Sequence, residues 1–325
     1  MTQTRPLMDR RPRVLFFDPV GWVQEWSYAE EIEALALLGV DAVIPEDRNA
    51  RDSALRDADV VVVSSVDQLT AAHVDQLERC VGILCYSAGM DAVDVEAATR
   101  AGIAVDNIRA GTADVADHAM TLLLAAWRRL PTMTAAAAEG RWDLALNSDL
   151  DSVRRLEGKT LGIFGAGAVG RAVAVRARAF GMLTVATYRR PEVAETELPH
   201  VPFERLLAES DALVLAASLN SETAGIIDAG ALAAARPGLV IVNVGRGGLI
   251  IERDLAQALD DGTVAAAGLD VRDPEPPDPS EDLLAGRLNV ILTPHFAGLS
   301  MEAFASIHRL ASEGIESLLR EGGRL

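Results

Sequence analysis

The segment that most constrains this chain is Gly165-Ala-Gly167-Ala-Val-Gly170, which follows the apolar run Leu161–Phe164 and opens a helix-forming stretch reaching about Phe180. By itself a GxGxxG spacing is weak, but between a strand and a helix it is specific. The first glycine permits a tight turn, the second lets a pyrophosphate approach the backbone, and the third lets the helix pack on the strand. The free N–H groups at the helix start then face an anion. These residues predict a dinucleotide site at Gly165, Gly167, Ala168, Val169 and Gly170.

The rest of the chain agrees with an α/β reading. Before the glycine turn, Val14–Phe17, Ala42–Ile44, Val60–Ser64 and Ile83–Tyr86 read as strands, and Glu30–Leu38, Ala71–Arg79 and Val95–Ala101 as helices. A longer helix, Ala113–Arg129, is expected to stop at Pro131. After the turn, Leu183–Tyr188, Ala212–Ala216, Leu239–Val244, Val264–Leu269 and Val290–Thr293 continue a doubly wound sheet of about six strands. The proline-rich Asp273–Ser280 must be a loop, and Ser300–Leu319 is a last amphipathic helix expected to fold back on the first domain. The fold class is therefore two Rossmann-like, doubly wound parallel-sheet domains. A nucleotide-binding domain (109–296) is inserted in a flavodoxin-like substrate domain (1–108 plus 297–325). A cleft between the two is the expected ligand site.

The second strand of the nucleotide domain ends Thr187-Tyr188-Arg189-Arg190-Pro191. NAD enzymes usually carry Asp or Glu here for the ribose 2′-hydroxyl. Two arginines and no carboxylate predict NADP(H) as the preferred cofactor, with NAD(H) as the alternative, and Tyr188, Arg189 and Arg190 as contacts.

Charge sets the partners. The 325 residues carry a net charge of −18, which repels nucleic acid and anionic membranes. Against that background a small anionic substrate needs a local cationic pocket. Two cysteines, Cys80 and Cys85, imply no disulfide framework, and no window is long and apolar enough for a membrane span. The N-terminus lacks the apolar stretch of a signal peptide, so a cytoplasmic protein is expected. No metal is expected.

Several segments together resemble one family: AGMDAVDVEAA (88–98), VADHAMTLLL (115–124), LEGKTLGIFGAGAVG (156–170), NVGRGGLI (243–250), GLDVRDPEP (268–276) and LTPHFAG (292–298). They are similar to the D-isomer-specific 2-hydroxyacid dehydrogenases over almost the whole chain. VADHA and the following RRLP resemble the branch that includes C-terminal-binding proteins and glyoxylate/hydroxypyruvate reductases. The resemblance implies an oxidoreductase moving a hydride between the nicotinamide cofactor and a small 2-keto or D-2-hydroxy acid, as a homodimer whose arm is the 113–129 helix and the segment through Trp142. It assigns catalysis to Arg246, Glu275 and His295. It gives the substrate carboxylate the backbone N–H groups of Ala88 and Gly89 together with Arg246, and sets Thr112 and Asp270 beside the nicotinamide.

The residue chemistry suits those roles. An imidazole gives up a proton near neutral pH, a neighbouring carboxylate favours its charged form, and a guanidinium fork binds a carboxylate and steadies a developing alkoxide. The chain departs from the family at Ala216-Ala217-Ser218, where His-x-Pro is common, and at Ile251, where an Asp would cap the next helix. The His–Glu pairing argues against a formate dehydrogenase, Ala88 against a phosphite dehydrogenase, and the lack of an evident basic phosphate site in the first domain against a phosphoglycerate dehydrogenase. A nucleotide-sensing, corepressor-like binding protein is the alternative. Substrate choice is expected to fall to the loops Pro19–Trp26 and Ser64–Gln68.

Overall fold

The computed structural model describes residues 10–18, 28–64, 67–87, 89–142, 153–189 and 198–325. Ala88, Arg190, the whole 19–26 loop and residues 65–66 lie outside these. Two compact units are present: Met1–Gly111 with Ser300–Leu325, and Thr112–Leu299.

The first unit holds a parallel sheet of β1 (Arg13–Phe16), β2 (Asp41–Val43), β3 (Val60–Val63), β4 (Gly82–Cys85) and β5 (Ala104–Asn107), in the order β2-β1-β3-β4-β5. Its central strands are apolar throughout, as burial on both faces requires: β3 is four valines, all buried. One face packs Leu15, Val61 and Ile83 against Ala97 and Ala98. The other packs Val14, Val60 and Leu84 against Leu35 of α1 (Ala29–Leu37) and Ile315 and Leu318 of the C-terminal helix Met301–Glu321. Glycine allows that helix to lie close: a Cβ at Gly82 would meet Leu318 at 2.8 Å. Ser300 caps it, its hydroxyl accepting from Ala303 N at 2.9 Å.

The second unit holds six parallel strands, β6 (Thr160–Phe164), β7 (Leu183–Thr187), β8 (Ala212–Leu215), β9 (Leu239–Asn243), β10 (Val264–Leu269) and β11 (Val290–Leu292), in the order β11-β10-β9-β8-β6-β7. The order reverses between β6 and β8, so their carboxyl ends flank a switch point where open α/β sheets bind ligands. Helix Thr112–Trp127 covers one face, with Leu122 against Gly268 of β10. Among the described residues no helix is long and apolar enough to cross a membrane.

Two local expectations need correction, and two short elements went unread. Pro131 does not end a helix; it begins one. The preceding helix stops at Trp127, Arg129 turns left-handed (φ 52°), and Leu130–Ala138 is a new helix with proline in its first turn, where the missing N–H costs nothing. The helix read over 71–79 shrinks to Ala71–Val74, because Gln76 and Leu77 donate to residues three back and the coil tightens into a turn. Helix Arg48–Ala54 and strand β5 were not read from the sequence; their polar, short segments carry no clear periodicity.

Candidate active site

The glycine turn has the geometry of a phosphate cradle. Gly165 adopts φ +103°, and a Cβ there would lie 2.8 Å from Ala216 O and from Ala217 N, so only glycine lets the ends of β6 and β8 approach. At Gly170 a Cβ would overlap the Gly165 carbonyl oxygen and press Ile163 at 3.0 Å. Gly167 differs. It is the N-cap of helix Ala168–Ala179, and nothing lies within 4 Å of the position its Cβ would take. Its backbone is open where a diphosphate would seat on the helix N-terminus, so the residues fit a dinucleotide.

At the end of β7, Tyr188 packs edge-on to His200. The next residue, Arg189, brings Nε to 3.4 Å from Glu222 Oε2. A carboxylate therefore does stand at this strand end, contributed by the loop after β8, where the β7 sequence alone could not reveal it. Thr112 is the first residue of its helix.

Arg246 follows β9. Asn243, the last strand residue, is fully buried and braces the turn with both ends of its amide: Oδ1 accepts from Gly245 N (3.0 Å) and Nδ2 donates to Arg246 O (2.9 Å). The Arg246 side chain folds back so that Nη1 donates to Gly245 O at 2.7 Å.

His295 follows β11 in a left-handed conformation (φ 53°), which is costly for a residue other than glycine. Asp270, at the end of β10 and 2 % exposed, holds that turn. Its carboxylate accepts from Phe296 N (2.8 Å), Ala297 N (3.0 Å) and the Thr293 hydroxyl (2.6 Å), while its carbonyl accepts from His295 N (2.8 Å). The Thr293 hydroxyl spends its proton on Asp270, so it accepts from His118 Nε2 at 3.0 Å. His118 and Thr293 were not singled out from the sequence, although both fall in segments that carried the resemblance.

Glu275 joins the imidazole to the rest. Oε2 lies 2.7 Å from His295 Nδ1, and Oε1 accepts from Arg272 N at 2.7 Å. Burial pushes the Glu275 carboxyl up, but the bonds from His295 and Arg272 and the charges of His295 and Arg246 outweigh it, and the group is held below its ordinary value. It stays ionised, so the Nδ1 proton faces it and Nε2 is left for other work. Arg246, Glu275 and His295 are thus brought together at the carboxyl ends of β9, β10 and β11. Gly89 belongs to the first unit, where its carbonyl accepts from the Ser87 hydroxyl at 2.7 Å.

Arg272, unremarked in the sequence, anchors the Glu275 loop. Its guanidinium is buried between Glu252 (2.6 Å) and Asp282 (2.8 Å), and it holds Asp282 down at about 2. Among the described residues no group of three or more His, Cys, Asp or Glu could hold a metal ion.

Comparison with known proteins meets this geometry. Residues 120–297 match the model of the D-isomer specific 2-hydroxyacid dehydrogenase NAD binding domain. A hydroxypyruvate reductase of Thermotoga maritima is 37 % identical over 82 % of this chain and 86 % of its own length. A D-3-phosphoglycerate dehydrogenase of Archaeoglobus fulgidus is 34 % identical over 81 % of this chain, which spans only 50 % of that protein. The crystal structure of a glyoxylate reductase from Paecilomyes thermophila superposes with a TM-score of 0.83 at 31 % identity, covering 97 % of both chains. On sequence, fold and site together, the chain belongs to the D-isomer-specific 2-hydroxyacid dehydrogenase family.

Proposed function

We propose that this protein is a 2-keto acid reductase, equivalently a D-2-hydroxyacid dehydrogenase, acting on a small monocarboxylic keto acid with NADPH as the favoured cofactor. One observation carries the reading: an ionised Glu275 pairs with His295 at 2.7 Å, with the Arg246 charge acting on the same carboxylate. That combination supplies a proton donor and an anion site, the two things a ketone reduction asks of the protein.

When bound, the reduced nicotinamide supplies the hydride to the keto carbon. The glycine turn at 165–170 binds the cofactor's diphosphate through backbone N–H groups, and Thr112 and Asp270 border its nicotinamide end. Arg246 orients the substrate carboxylate and stabilises negative charge growing on the carbonyl oxygen. His295 delivers the proton to that oxygen from Nε2, and Glu275 holds the ring in the tautomer that permits it. The N–H groups at Ala88 and Gly89 complete the carboxylate's partners. Arg189 and Arg190 are the proposed ligands of a 2′-phosphate. Exposed Leu130 and Trp142, 51 % and 83 % accessible, suit a homodimer arm. The unpaired Cys80 and Cys85 suit a reducing cytoplasm.

The test is a panel of 2-keto acids assayed with NADPH and NADH, on wild type and on His295→Ala. Turnover of at least one keto acid that falls by orders of magnitude in the variant, with cofactor binding kept, is expected. Wild-type protein that binds cofactor and reduces none of the panel would leave a nucleotide-sensing role instead.

A further inference from the structure

Three side chains from distant segments of the first unit meet around a buried carboxylate that the proposed chemistry does not use. Glu31, on α1, is 0 % exposed. Its Oε1 accepts from the Tyr86 hydroxyl at 2.8 Å and lies 2.7 Å from His308 Nδ1, on the C-terminal helix. Its Oε2 is buried with no hydrogen-bond partner among the described residues. Taking a carboxylate out of water is costly, and a half-satisfied buried network is worse for stability than well-packed apolar residues of the same volume. Holding the helix to the sheet does not call for such a group, since Ile315, Leu318 and Leu319 already do that from the apolar side.

The position of Tyr86 suggests what the cluster is for. Tyr86 is the first residue beyond β4, and its N–H makes the strand's last link to β3, at Val63 O (2.9 Å). Past it the chain leaves the sheet and turns, with the Ser87 hydroxyl donating to Gly89 O. The Tyr86 ring is stacked on Tyr28 (6.1 Å between centroids, 16° between planes), and Tyr28 rests against Phe16 at 4.4 Å. Glu31 fixes the far end of the same ring. Burial, reinforced by the Glu31 charge, pushes the Tyr86 phenol far up, so it remains a donor at any working pH.

We propose that Glu31 is a positioning residue for the substrate. Acting through the Tyr86 hydroxyl and braced by His308, it sets where the turn at Ser87 and Gly89 presents its backbone N–H to the keto acid's carboxylate. The inference rests on the role given to Gly89 in the proposed function.

Steady-state kinetics of Tyr86→Phe, Glu31→Gln and Glu31→Leu test it, with KM measured separately for keto acid and cofactor and a thermal melt for each protein. Tyr86→Phe removes a single hydroxyl and is the variant surest to fold. It is expected to raise the keto-acid KM fivefold or more, with kcat and the cofactor KM within twofold, which is the signature of lost ground-state binding. Glu31→Leu is expected to do the same. Glu31→Gln, which keeps the acceptor, should stay within twofold of wild type. An unchanged keto-acid KM in Tyr86→Phe would overturn the inference. So would a parallel rise in both KM values with a lowered Tm, which marks a purely structural role. Wild-type protein that reduces no keto acid would instead defeat the proposed function, and this inference with it.

Discussion

Gly247 abuts the carbonyl of Arg272 so closely that a β-carbon at residue 247 would overlap its oxygen and carbon and lie 2.6 Å from Asp273 N. The contact ties together two loops: the one after β9 that carries Arg246, and the one after β10 whose Arg272 N–H holds Glu275. The glycine that follows the arginine in Asn-x-x-Arg-Gly is therefore a packing requirement between the Arg246 loop and the loop whose carboxylate pairs with the His295 imidazole.

A methyl group at 247 has to separate those loops. A displacement of about 1 Å at reacting groups costs on the order of 100-fold in rate. Gly247→Ala is expected to lose about that much in kcat/KM while binding NADPH normally, since the 165–170 turn is untouched. Kinetics with a fluorescence titration of cofactor check it. Unimpaired kcat/KM would mean that the two loops are not coupled.

The Glu275–His295 pair makes a prediction in pH. Glu275 is depressed despite burial, so its pairing is present above the ordinary carboxylate range and is lost only as pH falls through the lowered value. Across neutral pH the pair is intact. Reduction is therefore expected to lose kcat/KM on the acid side only as pH falls below the ordinary carboxylate range, where Glu275 takes up a proton. Glu275→Gln keeps an acceptor for Nδ1 but has no carboxylate to protonate, so that acid limb should disappear. The pH–rate profile of the reductive reaction is the measurement, and an acid limb that persists unchanged in the variant would separate Glu275 from it.

Much of this site was legible because each of its parts is local in sequence. Strand, three spaced glycines and helix announce the 165–170 turn, and Arg246, Glu275 and His295 sit in three of the short segments that carried the family resemblance, each within six residues of a strand end. What stayed hidden is whatever depends on contacts between distant segments. The Glu222 carboxylate beside Arg189, the Arg272 guanidinium between Glu252 and Asp282, and His118 under the Thr293 hydroxyl all join segments apart in the chain. Pro131 was misread for a related reason: its fixed φ suits a helix start as well as an ending, and the left-handed Arg129 before it decides between them.

Helix Glu252–Asp260 begins at Ile251, which is extended (φ −80°, ψ 101°) and makes no side-chain cap. The side chain is 42 % exposed, so replacing it forfeits little burial. Ile251→Ser would offer an oxygen to the first-turn N–H groups and is expected to stabilise the unit by about 1 kcal/mol. A higher denaturant midpoint at unchanged slope is the expected result. An unchanged or lower midpoint would mean that Ile251 packing outweighs the missing cap.

The first unit also bears on substrate charge. Asp67 accepts from Arg48 (2.7 and 3.1 Å) and from Arg51 (2.8 Å), and Arg51 also binds Asp52 (2.8 Å) and lies over Phe17. Both guanidiniums are already matched by carboxylates, and the segments that follow β1, β3 and β4 contain no Lys or Arg before the next helix. A phosphorylated keto acid should therefore be reduced at least about tenfold less efficiently than its unphosphorylated counterpart, one unmatched charge contact being worth upward of about 1.4 kcal/mol. Hydroxypyruvate and 3-phosphohydroxypyruvate form the matched pair. Equal or better kcat/KM for the phosphate would contradict this.

Under the proposed NADPH preference, Arg189 and Glu222 act against each other. Both side chains are well exposed, 71 % and 64 %, and an exposed pair is worth at most about 1 kcal/mol, so Arg189 can leave Glu222 for a 2′-phosphate. The carboxylate stays nearby, however, and repels the same phosphate. Glu222→Gln should then raise kcat/KM for NADPH several-fold, a change of roughly 1 kcal/mol, and leave NADH unaffected because its 2′-hydroxyl carries no charge. Arg189→Ala should do the opposite, lowering NADPH efficiency selectively. Measuring both variants with both cofactors separates a phosphate contact from a solvated surface pair: if NADPH and NADH respond equally, Arg189 does not bind the phosphate and the proposed NADPH preference loses its described ligand.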